Sequence, residues 1–348
     1  MSLPELVLHE SALAHNLAVM AEYCRTAGVE LAPHAKTHMS PELTARQLAA
    51  GAWGLTAATP AQVRTLAGWR VPRILHANLL VDPADIDWVA TELLVPGGPE
   101  FLTYLDSGAG LDLLLDRLAV HRPARPLRLL LELGSPGGRT GVRDDDAARA
   151  LAARVRGSAL VELAGIAAFE GLTHDPEPRA ALLARVRALT EELRPPLVTA
   201  GGSSYFDEVV AALGDLDATL VLRSGCYLTH DHGVYQRTSP LRDRFRPALE
   251  LRAAVLSQPE DGLAILGFGR REAPTDDRLP VVLGHDDWTV TAVNDHHAFL
   301  ALPTGVRLAP GTVLRLGLSH PCGAFDRWRA IPVLADDGTP LSTVHPHL

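Results

Sequence analysis

From residue 29 to residue 225, short apolar runs alternate with longer segments whose apolar positions recur at helical spacing. Eight runs of strand length are legible: VELAPH (29–34), WGLTAA (53–58), RILHAN (73–78), FLTYLD (101–106), LRLLLELG (127–134), LAGIAAFEG (163–171), LVTAGG (197–202) and ATLVLRSG (218–225). Each of the first seven leads into a helical segment. Several of these open on a capping residue followed by proline, as in Ser40-Pro41-Glu42, Thr59-Pro60 and Asp82-Pro83, because proline's fixed φ and missing N–H suit the first helical position. Strands and helices alternating at this spacing predict an α/β fold with a parallel sheet. Eight such units predict a (β/α)8 TIM barrel, with an open doubly wound sheet as the alternative.

The texture changes near Leu241. PALELRAAVLS, LAILGFG, LPVVLG, WTVTAVND, AFLAL and TVLRLGLS are short apolar runs broken by Gly, Pro and Asp, which predicts an antiparallel β domain. The expected organisation is a barrel over residues 6–240 and a C-terminal β domain over residues 241–348, to which residues 1–5 can add.

Composition narrows the functional classes. The 348 residues exceed one ordinary domain, and a formal charge of −9 argues against a nucleic-acid surface, which needs a clustered excess of Lys and Arg. The start of the chain, MSLPELVLHE, has no basic segment followed by an apolar one, and no run of 18 uncharged apolar residues appears. A soluble, cytoplasmic protein is expected. Cys24, Cys226 and Cys322 are far apart with no CxxC spacing, which disfavours a disulfide framework and a four-thiolate zinc site but leaves a single thiolate free to bind a metal.

In a barrel the active site lies at the C-terminal ends of the strands. Lys36, His76, Asn78, Asp106, Ser107, Glu132, Arg139 and Glu170 fall there, although each alone is equally a hydrogen-bonded strand-end group. Lys36 stands between His34 and His38 in ELAPHAKTHMS, among apolar and imidazole neighbours, and lysines so placed form imines with aldehydes. At strands seven and eight, TAGGSSYFDE and LRSGCY offer Gly201, Gly202 and Gly225 for close backbone approach and Ser203 and Ser204 as donors at a helix start, a pattern that suits a phosphate. A lysine facing a phosphate cup suits pyridoxal 5′-phosphate, with Arg139 able to meet the ring's phenolic oxygen. In SHPCGAFDRW, His320 and Cys322 are one residue apart, a pair that suits Zn2+ with open positions for water or substrate; a buried cysteine beside a solvent-facing histidine is the plainer reading. His230 and His232 have similar spacing, but loop histidines more often bond locally.

PHAKTH, GGRTGV, AGGSS, RSGCY and SHPCGAFDRW, in this order, resemble the D-serine dehydratase and D-threonine aldolase-like family. The resemblance implies an alanine racemase-type fold, usually a homodimer. It further implies Lys36 as the cofactor lysine, Arg139 on the ring oxygen, Ser203, Ser204, Gly225 and Cys226 around the phosphate, and His320 and Cys322 as metal ligands. Aldolases of this family typically carry aspartate as the second ligand, so Cys322 favours dehydration. Two departures are visible: FEGL stands where relatives often have an aromatic hydroxyl and a histidine, and Ser224 replaces a proline. The implied activity is dehydration and deamination of a 3-hydroxy D-amino acid, with aldol cleavage as the alternative. Two rivals are a metal-dependent barrel hydrolase using His34, His38 and a carbamylated Lys36, and a non-catalytic pyridoxal phosphate carrier.

Overall fold

The computed structural model describes residues 2–172 and 174–347. All eight predicted strands of the first sheet form, and all are parallel. They are β2 (Glu30–Leu31), β3 (Leu55–Ala57), β4 (Arg73–Leu79), β5 (Glu100–Leu105), β6 (Leu127–Leu133), β7 (Val161–Ala168), β8 (Leu197–Thr199) and β9 (Thr219–Leu222), preceded in the chain by β1 (Glu5–His9). The sheet runs β2-β9-β8-β7-β6-β5-β4-β3. A parallel bridge between His34 and Thr56 joins its two ends, so the sheet is a closed barrel and the open alternative fails. The predicted helix starts are used: Thr59 accepts the N–H of Gln62 and Asp82 that of Ala84, each just before a proline at the first helical position.

The barrel interior is filled by side chains from successive strands, among them Ala32, Leu75, Leu102, Tyr104, Leu130, Ala164, Leu197 and Val221, all buried. Inward-pointing residues of a tilted parallel sheet stack in layers, leaving polar groups to the strand ends.

The remaining strands are antiparallel apart from one pair. Strands β10 (Leu249–Glu260), β11 (Leu263–Leu266), β12 (Val281–Val282), β13 (Thr289–Val293), β14 (Ala298–Ala301) and β15 (Val313–Gly317) pair in the cycle β10-β11-β14-β13-β12-β15-β10, a six-stranded barrel. Register shifts at Ser257 let the long β10 bend and pair at both ends of the cycle. Beyond β10, the sheet continues through β1, β16 (Ile331–Leu334) and β17 (Pro340–Val344), with β1 parallel to β16. Strand β1 belongs to this sheet because Leu6, Val7 and Leu8 are buried on both faces.

By contacts, residues 1–20, 37–46 and 226–348 form one compact unit and residues 21–36 and 47–225 another. The first strand sits with the C-terminal sheet. Among the described residues no helix is long and apolar enough to cross a membrane.

Candidate active site

In the barrel unit, β2 ends in a single 3-10 turn, Ala35–Thr37. Ala35 and Thr37 are buried while the Lys36 side chain is exposed, so the turn holds an amine out from a fixed backbone. His34 Nδ1 is buried without a hydrogen-bond partner. Burial, and then the positive charges of Lys36, Arg223 and Arg139, hold its imidazole well below the ordinary range, so it is neutral.

The Gly-Gly step after β8 does bind an anion, but the anion is a side chain. Glu170 accepts the N–H of Gly201 at 3.0 Å and of Gly202 at 2.8 Å, one on each oxygen. The expectation that these two amides face a phosphate is corrected accordingly. Ser203, Ser204 and Gly225 remain as the phosphate candidates in this unit. Gly201 has φ +87°, a left-handed conformation that costs glycine little, and a Cβ on Gly202 would come within 2.9 Å of the Phe169 ring.

Both departures from the family pattern gain a structural reason. The Arg139 guanidinium lies 5.0 Å over the Phe169 ring, so the aromatic ring carries the arginine without a hydroxyl. Ser224 Oγ donates to the Gly202 carbonyl at 2.5 Å, tying the loop after β9 to the loop after β8 in a way proline could not.

Sequence reasoning missed Arg223, the residue just after β9. It is 3% exposed and donates to Thr199 Oγ1 at 2.7 Å and to the Ala168 carbonyl at 2.7 Å. An apolar run ending in Arg reads as a strand leaving the core, so only the closed topology brings this cation inside. Two further buried atoms lack partners, Tyr104 Oη and Glu132 Oε2. Burial raises both groups, Tyr104 to about 12. Two guanidinium groups, an exposed amine and three buried polar atoms without partners fit an aromatic, anionic ligand with a phenolate and a phosphate.

Other strand-end groups make local hydrogen bonds, although His76 Nε2 is buried without a partner. His76 Nδ1 pairs with Thr103 Oγ1 at 3.0 Å, Asn78 donates to the Ala58 carbonyl at 3.1 Å, Asp106 accepts the Gly141 N–H at 3.1 Å, and Ser107 caps the helix Gly108–His121.

In the other unit, the His320–Cys322 segment is built around Asp231. This buried carboxylate accepts the N–H of Gly233 at 3.0 Å, of Tyr235 at 2.9 Å and of Gln236 at 3.3 Å through Oδ1, and the N–H of His320 at 2.9 Å through Oδ2. His320 has φ +63°, and the Asp231 bond helps hold that left-handed backbone. Its Nδ1 pairs with the Asp276 carboxylate. Cys322 lies in the short helix Pro321–Phe325. Its sulfur is 3.6 Å from Cys226 Sγ and 3.6 Å from Thr37 Oγ1, and Thr37 Oγ1 is in turn 3.6 Å from Cys226 Sγ. Hydrogen bonding from Cys322, helped by Tyr235 and Thr37, outweighs burial and brings the Cys226 thiol down to about 6. The side chain of Cys226 thus faces Cys322 and Thr37.

The neighbouring histidines His230 and His232 each make a local bond, and the Nδ1 of each is buried without a partner. His230 Nε2 pairs with Gln236 Oε1 at 3.0 Å and the His232 N–H donates to the Leu318 carbonyl at 2.9 Å. His38 Nδ1 accepts the Ser40 N–H at 3.0 Å and its ring meets Phe325 edge-on, which removes that nitrogen from the ligand set of a barrel hydrolase. Among the described residues no three His, Cys, Asp or Glu side chains are already gathered as a metal cage.

Comparison with known proteins agrees with this layout. The chain is 28% identical to a D-threonine aldolase from an Arthrobacter species, over 96% of this chain and 89% of that one. It is 26% identical to the D-threo-3-hydroxyaspartate dehydratase of Delftia sp. strain HT23, over 97% and 95%. The crystal structure of D-threonine aldolase from Filomicrobium marinum superposes with a TM-score of 0.86 at 23% identity, covering 99% of this chain and 95% of that one. Solved structures of the Delftia dehydratase include a histidine-to-alanine variant and, two positions further on, a cysteine-to-alanine variant in the metal-free form, with TM-scores of 0.80 and 0.81. The serine dehydratase domain model matches residues 248–334 and the alanine racemase N-terminal domain model residues 8–229. Since the latter spans well over half of the sequence, the chain belongs to the alanine racemase N-terminal domain family, within the group that joins this barrel to a serine dehydratase domain.

Proposed function

We propose that this protein is a pyridoxal phosphate- and zinc-dependent lyase that dehydrates and deaminates a 3-hydroxy D-amino acid, giving a 2-oxo acid and ammonia. The observation that carries this reading is the His320-Pro321-Cys322 segment, with its histidine fixed by Asp231 and Asp276 and its thiol turned onto a second sulfur. The histidine and cysteine altered in the Delftia dehydratase have the same spacing, and the cysteine variant is described there as metal-free.

Lys36 would hold the cofactor, Arg139 its ring oxygen, and Ser203, Ser204, Gly225 and the backbone of Cys226 its phosphate. His320 and Cys322 would hold the metal. When bound, these groups supply an electron sink at Cα and a positive charge for the departing β-oxygen. The chain's own residues do the rest. Lys36 Nζ would take the α-proton and pass it to the hydroxide that leaves Cβ, so that water departs and the amine is restored. Arg223 presents hydrogen-bond donors and a fixed charge at the barrel end. Glu170 holds the loop at Gly201 and Gly202 in place while the substrate exchanges. Loss of hydroxide from Cβ and hydrolysis of the resulting enamine release the two products. A homodimer is expected from the family resemblance, which sedimentation would check.

A panel of D- and L-serine, D-threonine and D-threo-3-hydroxyaspartate, given to protein loaded with pyridoxal phosphate and zinc, tests the reading. Ammonia and 2-oxo acid from the D-substrates are expected. Glycine and aldehyde as the main products would replace dehydration by aldol cleavage, and no turnover in either direction would overturn both.

A further inference from the structure

We propose that Cys226 is a metal ligand, so that the metal is held by two thiolates, Cys226 and Cys322, together with His320. This goes beyond the functional reading, which gives Cys226 only a place near a phosphate, and it rests on that reading's assignment of His320 and Cys322 as ligands.

The distances argue for it. Two sulfurs on one tetrahedral zinc, each at about 2.3 Å, are about 3.8 Å apart. Cys226 Sγ and Cys322 Sγ are 3.6 Å apart, although 96 residues separate them in the chain. A disulfide would need about 2.05 Å. Thr37 Oγ1, at 3.6 Å from each sulfur, closes an equal-sided triangle of soft and hydroxyl donors. Cys226 is 4% exposed, so its sulfur has been taken out of water and turned toward another sulfur rather than into an apolar wall.

The histidine is prepared in the complementary way. The Nδ1 of His320 pairs with the Asp276 carboxylate, the arrangement in which a carboxylate orients a metal-binding imidazole. Two thiolates and one imidazole make three protein ligands, the number at which zinc sites keep a fourth position for a reacting oxygen. The second thiolate also makes the site softer, which favours zinc, cobalt and cadmium over manganese and magnesium.

X-ray absorption at the zinc edge of the zinc-loaded holoenzyme reads the sulfur count directly. Two sulfurs at about 2.3 Å are expected in the wild type and one in Cys226→Ser, with zinc lost to a competing chelator at least about tenfold more readily in the variant. One sulfur in the wild type overturns the proposal whether or not the variant folds, as does a wild type that binds no zinc or that has lost two protons to a Cys226–Cys322 disulfide by mass. The outcomes separate this inference from the function: turnover of the D-substrates with a single sulfur on zinc sinks the second thiolate alone, whereas two sulfurs on zinc without turnover sink the dehydratase reading alone.

Discussion

The two units treat their buried carboxylates in opposite ways. In the barrel unit, Glu132 has one oxygen with no partner, and burial holds both it and Glu170 above the ordinary carboxylate range. In the sheet unit, Glu250 is only 2% exposed, yet hydrogen bonds from His9, Arg315 and Arg252 overcome burial and hold it far below that range. Asp231 is enclosed by four backbone N–H donors. The Glu250 and Asp231 carboxylates of the sheet unit are thus fully paired, whereas Glu132 in the barrel unit keeps an oxygen that a ligand can satisfy. Unpaired buried polar atoms cost about 1–3 kcal/mol each, and sites for cofactors are where a fold tolerates that cost.

The sharpest way to break this contrast is to remove the one barrel residue on which chemistry is expected to depend. Lys36→Ala should lose the visible band of bound cofactor and lower turnover at least about a thousandfold, since a general base alone contributes about 10^2–10^4-fold. Absorbance and ammonia release measure both. A variant that keeps the band would mean that the cofactor lysine lies elsewhere. Folding should hardly change, because the side chain is exposed.

Asp231→Ala strikes the other unit and should do the reverse. Four N–H groups lose their acceptor, so a loss of about 3 kcal/mol in denaturant unfolding is expected, together with weaker zinc retention because His320 is no longer held. Cofactor absorbance should survive. Stability unchanged within about 0.5 kcal/mol would show that the loop is held by something other than this carboxylate.

That Asp231 needed the structure to be noticed shows what the sequence carries. The eight barrel strands are legible because each is a local event, an apolar run closed by a capping residue and a proline such as Thr59-Pro60 or Asp82-Pro83. Lys36 and the His320–Cys322 pair are legible for the same reason, being short patterns. The contacts that were missed join distant partners. Cys226 and Cys322 meet across 96 residues, Glu170 reaches Gly201 from 31 residues away, and Arg223 enters the interior only when β9 is placed between β2 and β8. Strand β1 escaped because ELVLH, buried on both faces, shows no alternation that would mark it as a sheet element.

Two neutral substitutions turn the carboxylate contrast into mirror-image pH profiles. Glu250 has a depressed folded pKa, so its stabilisation is present above the unfolded value of about 4.3 and is lost as pH falls below it. Glu250→Gln should therefore cost about 2 kcal/mol at pH 7, because Arg252, Arg315 and His9 lose their common counter-charge, and the gap from wild type should close toward pH 3. Differential scanning calorimetry across that range would read it. A gap that is constant with pH would show that Glu250 acts by packing rather than by charge.

Glu132→Gln is the smaller and opposite case. Its folded pKa is raised, chiefly by burial, so the folded state holds the proton more tightly than the unfolded chain, and wild-type stability falls as pH rises from about 4.3 through the folded value. The glutamine has no proton to lose and escapes that fall. The variant should match wild type near pH 4 and become more stable by on the order of 1 kcal/mol or less above neutrality, in protein free of cofactor. With cofactor bound the gain should shrink or reverse, since a ligand that pairs with the buried carboxylate or with the Arg139 and Arg223 charges beside it supplies the stabilisation that burial withholds. A Glu132→Gln profile that instead runs parallel to that of Glu250→Gln would mean that both units pair their carboxylates alike, and that the barrel end is not a site kept open for a ligand.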